Sequence, residues 1–350
     1  MKPTAVVSRA RLPSCLLDAV RCLAVHVAWN GDRQIQAVQT CQTCLAEIEK
    51  SLWPAVAWTF SGLTGDGSPI EFGFSTHTDT LRYTVEVAGP ECDEHERLAA
   101  ACVLIARLGH RPPPSHLMRQ WRRLQAQGHL NWGAWLGVRY KEDGDETLKL
   151  YIEIPHASRK ARLSTFPGHL VGARCLMLGY EPASERMEAY FRKTPMDRSD
   201  LSRLAGALPS TRESDKLIAA LIELCDVPLE VALRWGSPAY STDWKDAPAN
   251  PGVAEWGLGF FIRARTIASP GKVRRIFLAH TLRIRSGKSA YQELVQHLPD
   301  ADLPDHGAIS IGLDRHGGIE LRAGISGSAL AAIRASSFLH QSDPLERREN

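Results

Sequence analysis

Residues 67–87 read GSPIEFGFSTHTDTLRYTVEV, and strict alternation runs through both halves of the stretch. Ile70, Phe72 and Phe74 fall on one side, Glu71, Gly73 and Ser75 on the other. After a polar turn, Leu81, Tyr83, Val85 and Val87 oppose Arg82, Thr84 and Glu86. Period-two alternation of this length predicts a β-hairpin with one apolar face. If that face packs on helices, Glu71, Arg82 and Glu86 look either at water or into a cavity. The remainder of the chain has to decide between the two.

The pattern recurs. Residues 134–155 (AWLGVRYKEDGDETLKLYIEIP) predict a second hairpin with its turn at Glu142–Asp145, and 173–193 a third turning at EPAS. Residues 256–282 (WGLGFFIRARTIASPGKVRRIFLAHTL) read as a fourth turning at SPGK, and 308–326 as a fifth turning at HGG. Gly, Pro, Asp and Ser at these positions supply the turn chemistry. Helical periodicity fills the gaps at 93–109, 114–127, 200–209, 213–235 and 289–298, and again at 326–341. Five hairpins make about ten antiparallel strands, a number at which a sheet curls or closes. The expected architecture is α+β: a ten-stranded antiparallel barrel of five helix-separated repeats, with the helices outside and a polar lumen. One domain then spans 1–350, with N-terminal helices in 1–52, the barrel over about 53–326, and a C-terminal helix and tail in 327–350.

Strand parity sorts the polar residues into that lumen. Lys149, Tyr151 and Glu153 alternate with Leu148, Leu150 and Ile152; Arg186, Glu188, Tyr190 and Arg192 alternate with Met187, Ala189 and Phe191. The same count places Trp135, Arg139, Arg263, Arg265, Arg275, Phe277, Glu320, Arg322 and Gly324 inside. An antiparallel sheet with one wet face would also carry charges. Cation-x-aromatic spacing repeated on different strands favours a lined cavity.

Bulk properties narrow the partner. The 42 basic and 39 acidic residues leave a net charge of only +3, so composition gives no support to a nucleic-acid partner. No apolar run reaches the length of a membrane span. The N-terminal LPSCLLDAVRCLAVHVAW is interrupted by Asp18, Arg21 and His26, and reads as an amphipathic helix with Leu16, Leu17, Val20, Leu23 and Ala24 on its stripe. A cytoplasmic chain is expected. Cys41 and Cys44 form a C-x-x-C within a helical stretch without a second pair, which predicts buried thiols rather than a zinc or redox site.

Several cations converging in a cavity suit a compact polyanion such as a diphosphate. Rings beside it suit a carbocation generated next to the anion, each π-face contributing about 0.5–2 kcal/mol. Together they describe ionisation of an allylic diphosphate. A lumen carboxylate, for which Glu71 is the natural candidate, can then orient a nucleophilic N–H and take its proton.

On these motifs the chain resembles the aromatic prenyltransferases of the ABBA (αββα repeat) barrel, nearest to the indole, dimethylallyltryptophan synthase-like, branch. GSPIEFGFS, LRYTVEVAG, LKLYIEIP and RMEAYFR carry the resemblance, which extends over about Trp53–Ser326. It implies that Glu71 contacts an indole N–H, and that Arg82, Lys149 and Arg186 bind the donor diphosphate. It further implies Tyr151 and Tyr190 as cation shields, with Arg275 as a further diphosphate cation and Phe277 as a further shield. Arg263, placed inside by parity, is a further candidate to complete the diphosphate clamp. Trp135 and Gly324 are expected to line the acceptor and prenyl pocket. No metal site is implied; no cofactor is required and Mg²⁺ is at most stimulatory. The acidic 142–146 segment lies in a turn, where a solvated tip is expected.

Two positions depart from the family pattern. Glu188 stands where the third hairpin usually has a cation, and Gly324 where the last strand often has a shielding tyrosine. The partners implied are an allylic prenyl diphosphate and an aromatic acceptor, with neither nucleic acid nor membrane. A phenolic or peptide side chain as acceptor stays open, as does a non-catalytic barrel that binds a small phosphorylated ligand.

Overall fold

The computed structural model describes residues 12–26, 31–78, 80–140, 145–156, 170–206, 211–235, 239–244, 258–284, 289–296, 298–313 and 318–333. Two helices, α1 (Leu12–His26) and α2 (Gly31–Glu49), precede the first hairpin, β1 (Ile70–Ser75) and β2 (Arg82–Glu86). Helices α3 (Arg97–Arg107) and α4 (Ser115–Gln125) lead to β3 (Ala134–Tyr140) and β4 (Glu146–Glu153), which are followed by β5 (Arg174–Glu181) and β6 (Arg186–Arg192). Then come α5 (Arg198–Gly206), α6 (Thr211–Leu224) and α7 (Leu229–Trp235), and the hairpin β7 (Ala239–Trp244) and β8 (Leu258–Arg263). Finally α8 (Pro270–Ile284) and α9 (Ala290–Val295) precede β9 (His306–Leu313) and β10 (Ile319–Ser326).

The ten strands pair antiparallel in sequence order, and β1 closes on β10. A closed ring leaves no unpaired edge. The helices cover its outer face. Ile70, Phe72, Tyr83, Val85, Leu136, Leu150, Ile152 and Phe191 are all buried there, together with Leu16, Val20, Ala24, Leu45 and Leu98 from the surrounding helices. The register carries the parity expected from sequence around the barrel. Arg82 is opposite Arg139, Gly137 opposite Lys149, Trp135 opposite Tyr151, and Gly73 opposite Gly324. Antiparallel order round the ring puts the C-terminal ends of the odd strands at one end, here the tip end, and their N-terminal ends at the other, the helix end.

The fourth hairpin is a correction. Residues 256–282 do not turn at SPGK: β8 ends at Arg263, a 3₁₀ turn spans Ala264–Thr266, and α8 starts at Pro270. Ser269 with Pro270 is a helix start, because the proline ring suits the first helical position and the serine hydroxyl accepts from Lys272 N at 3.4 Å. Gly271, Val273, Ile276, Phe277 and Thr281 are the buried residues, which is helical spacing rather than alternation. The true partner of β8 is β7, whose AYSTDW was not anticipated as a strand.

Cys41 and Cys44 lie on α2 as fully buried, unbridged thiols, and burial first, then Glu49, pushes the Cys41 thiol up to about 12. Among the described residues no helix is long and apolar enough to cross a membrane. Of the acidic 142–146 segment, 142–144 lie outside the described residues, as do the fifth turn at 314–317 and the segment beyond 333. Glu146 is corrected from a solvated tip to β4, where its shielded carboxylate accepts from the Thr40 and Tyr140 hydroxyls.

Candidate active site

The lumen holds two chemically different regions. Towards the tip end, Arg82 stands within electrostatic reach of Arg139, Arg322, Glu320 and Tyr151. Burial first, then the Arg139 and Arg322 charges, makes the Arg82 cation less stable than in water. Its Nε has no protein partner. Arg322 donates Nε and Nη2 to Glu320 at 2.8 and 2.7 Å, and the Ser75 hydroxyl donates to the same carboxylate at 2.7 Å. Burial alone would raise the Glu320 pKa, but the Arg322 charge and these hydrogen bonds hold it at about 2.

Deeper in the lumen, Lys149 is ion-paired to Glu188 and donates to the Tyr190 hydroxyl at 3.2 Å. Its Nζ lies 5.5 Å from the centroids of both Tyr151 and Tyr190. Those rings meet edge-on at 6.0 Å, and Phe261 on β8 adds a third ring 5.5 Å from Tyr190. Gly179 makes this packing possible, since a Cβ there would run into the Lys149 chain and crowd the Tyr190 ring. Lys149 and three rings thus come together in the lumen from β4, β6 and β8.

Towards the helix end, Glu71 turns over Gly324 and meets the backbone N–H of Ala308. Burial first, then the Asp66 charge, raises its pKa to about 7, with the Ala308 N–H acting the other way. A Cβ on Gly324 would collide with this carboxylate. The space left by Gly324 therefore houses Glu71 and does not stand open as a pocket for the substrates.

The remaining sequence candidates separate by position. Trp135 faces the lumen, stacks on Trp132 at 3.8 Å and donates Nε1–H to Glu86 at 2.9 Å. Arg186 shares the lumen face of Glu188 and Tyr190 but is exposed at the tip rim. Arg263 is exposed at the helix end, across the barrel's length from the Arg82 group. Arg275 is corrected to the exposed side of α8, and Phe277 to a buried outer position 4.4 Å from Tyr291. Neither faces the lumen. Arg139 and Arg322 take the place expected of Arg275; both were visible by parity as inward cations.

A closed ten-strand antiparallel barrel with helices outside is the ABBA, or prenyltransferase, barrel fold. The prenyltransferase PriB, solved as a ternary complex with L-tryptophan and dimethylallyl thiolodiphosphate, superposes with a TM-score of 0.69 at 15% identity, over 91% of this chain and 97% of that one. The 5-dimethylallyltryptophan synthase of Streptomyces coelicolor gives 0.64 at 15% identity, over 91% and 98%. NotF, in complex with brevianamide F and a dimethylallyl donor analogue, gives 0.61 at 16% identity, over 93% and 95%. No protein-family model and no curated protein matches the sequence.

Proposed function

We propose that the chain is an aromatic prenyltransferase that moves a dimethylallyl or longer prenyl group from an allylic diphosphate to an indole-type acceptor. The observation that carries this is the separation inside one lumen of a cation-and-ring region from a buried carboxylate. Arg82, Arg139, Lys149 and Arg322 hold the diphosphate as the allylic C–O bond breaks and the bonding pair leaves with it. These cations supply the charge a metal would otherwise supply, so no metal is required. Tyr151, Tyr190 and Phe261 present π-faces to the allyl cation and keep water from it. Glu71 accepts a hydrogen bond from the acceptor N–H and stabilises the positive charge that develops on the ring as its carbon attacks, the proton of that carbon then passing to the released diphosphate. When the ring nitrogen itself is the nucleophile, Glu71 takes its proton. The solved proteins of the same fold support the reading, since the complexes of PriB and NotF hold a dimethylallyl donor analogue with an indole-containing partner. Incubating the protein with dimethylallyl diphosphate and tryptophan should yield a product heavier by one dimethylallyl group. No mass gain with any indole or phenol acceptor would overturn it.

Two further results are expected. Arg82→Ala removes a charge-assisted contact worth about 1.5–3 kcal/mol, so calorimetry should show dimethylallyl thiolodiphosphate binding weakened about tenfold or more. Unchanged affinity would take Arg82 out of the donor site. Glu71 works as the carboxylate, and its pKa lies at about 7. Below that value the site is protonated and inactive, so kcat/KM should rise with pH through about 7 and level off above it. A profile flat from pH 5 to 8 (a range set about the ordinary carboxylate and shifted values) would contradict the assignment.

A further inference from the structure

Three arginines share the lumen face at the helix end, with Arg174 and Arg263 each within electrostatic reach of Arg192. Arg174 and Arg192 are directly opposed across β5 and β6, and Arg263 stands on β8, two strands from Arg192. Like charges set opposite each other destabilise a sheet. Arg192 registers this, for burial first, then Arg174 and Arg263, disfavours its charged form. Its Nε is shut away from solvent with no protein partner.

Among the described residues, no carboxylate pairs with any of the three. Glu153, the acid on the same face of β4, is already held by the backbone N–H groups of Asn131, Trp132 and Gly133 at 2.7–3.1 Å and by Asn131 Nδ2 at 2.9 Å. Glu71 is turned to Ala308. Two deeper cations, by contrast, carry an acid of the protein: Glu188 for Lys149 and Glu320 for Arg322. Opposed arginines without an acid make a place for an anion that arrives from outside.

We infer that this trio binds a phosphate monoester carried on the non-reacting end of the acceptor. The inference rests on the proposed function for the rest of that acceptor. Three guanidinium forks offer more charge and more paired donors than one carboxylate can use, whereas a phosphate ester brings about two charges and three acceptor oxygens. Placement agrees with a short tail. Ala308, whose N–H meets Glu71, is the direct register partner of Arg263. An aromatic ring held at Glu71 therefore lies one register pair from Arg263, the member of the trio nearest to it along the sheet, and a tail on that ring runs along the same face towards Arg192.

The test is calorimetry on the full chain with its donor site saturated by dimethylallyl thiolodiphosphate. The titrants are three indoles alike except at the tail: tryptophol, indole-3-propionate and the phosphate ester of tryptophol. The phosphate ester should bind about tenfold or more tightly than the monocarboxylate. Arg192→Gln should erase that margin and leave tryptophol binding as it was, while Arg192→Lys, which keeps the charge but not the fork, retains part of it. Relief of like-charge repulsion predicts that Arg192→Gln melts no lower than the parent; should it fail to fold, the exposed Arg263→Gln serves the same purpose. Equal affinity for phosphate and carboxylate, or a margin that survives both variants, would overturn the inference. Arginine-dependent phosphate binding without prenyl transfer to any acceptor would leave this site standing and remove the transferase reading. Transfer to tryptophan without a phosphate preference would do the reverse.

Discussion

Glu71→Gln is expected to lower kcat by about 10²–10⁴-fold, the loss that follows removal of a positioned base. The amide keeps the size of the side chain and still accepts a hydrogen bond, so the recess over Gly324 stays filled. What disappears is the negative charge opposite the acceptor N–H and the basicity that takes its proton. Donor binding should stay within a few-fold of the parent, because Arg82, Arg322 and Lys149 belong to the other region of the lumen. The pH dependence should vanish with the carboxylate. Steady-state kinetics on both substrates, beside calorimetry with the donor analogue, separates these effects. Turnover within a few-fold of the parent would reduce Glu71 to a buried acid that the fold merely tolerates. The Glu71→Gln and Arg82→Ala variants form a pair: one should damage chemistry and spare donor binding, the other should damage donor binding.

Much of this arrangement is legible in the sequence, for a definable reason. Alternation reports which side a strand residue takes, so Glu71, Arg82, Lys149, Tyr151 and Tyr190 are placed on the lumen face by counting alone. Counting fails where the chain breaks period two. A bulge between Cys175 and Met177 reverses parity within β5, so counting back from Gly179 places Cys175 inside, when Arg174 is the residue opposite Arg192. It fails again at 270–284, where charged and apolar residues fit both periods and only the Ser-Pro helix start distinguishes them. Parity also gives a face but no height along the barrel. Arg186 and Arg192 share one face of β6, yet one is at the tip rim and the other at the helix end. Nor does parity announce the occupant of an empty position: Gly324 reads as a gap, and the gap is filled by Glu71 from the neighbouring strand.

Glu86 sits on the same alternating face as Glu71 and Arg82, and there a fold-level expectation differs sharply from a catalytic one. Its carboxylate accepts from Arg97 Nη1 at 2.7 Å, from the Ser61 hydroxyl at 2.6 Å and from Trp135 Nε1 at 2.9 Å. The Arg97 and Glu86 side chains are only 4% and 2% exposed, and Arg97 also binds the carbonyls of Ala88 and Gly89. Arg97 thus ties the first turn of α3 to the end of β2. Arg97→Met fills much of the same volume but leaves a buried carboxylate without its counter-charge, which costs about 3–5 kcal/mol. Denaturant unfolding should show a loss of that size with an unchanged m-value. Adding Glu86→Gln removes the stranded charge while keeping an acceptor for Ser61 and Trp135, so the double variant should recover most of the loss. Recovery identifies the uncompensated charge as the cause. If the double variant is as unstable as Arg97→Met, the damage comes instead from lost carbonyl contacts and packing at α3, and the Glu86–Arg97 pair contributes little beyond them. Neither variant should alter donor affinity in the fraction that folds, since Glu86 makes its bonds at the barrel wall, with Arg97, Ser61 and Trp135.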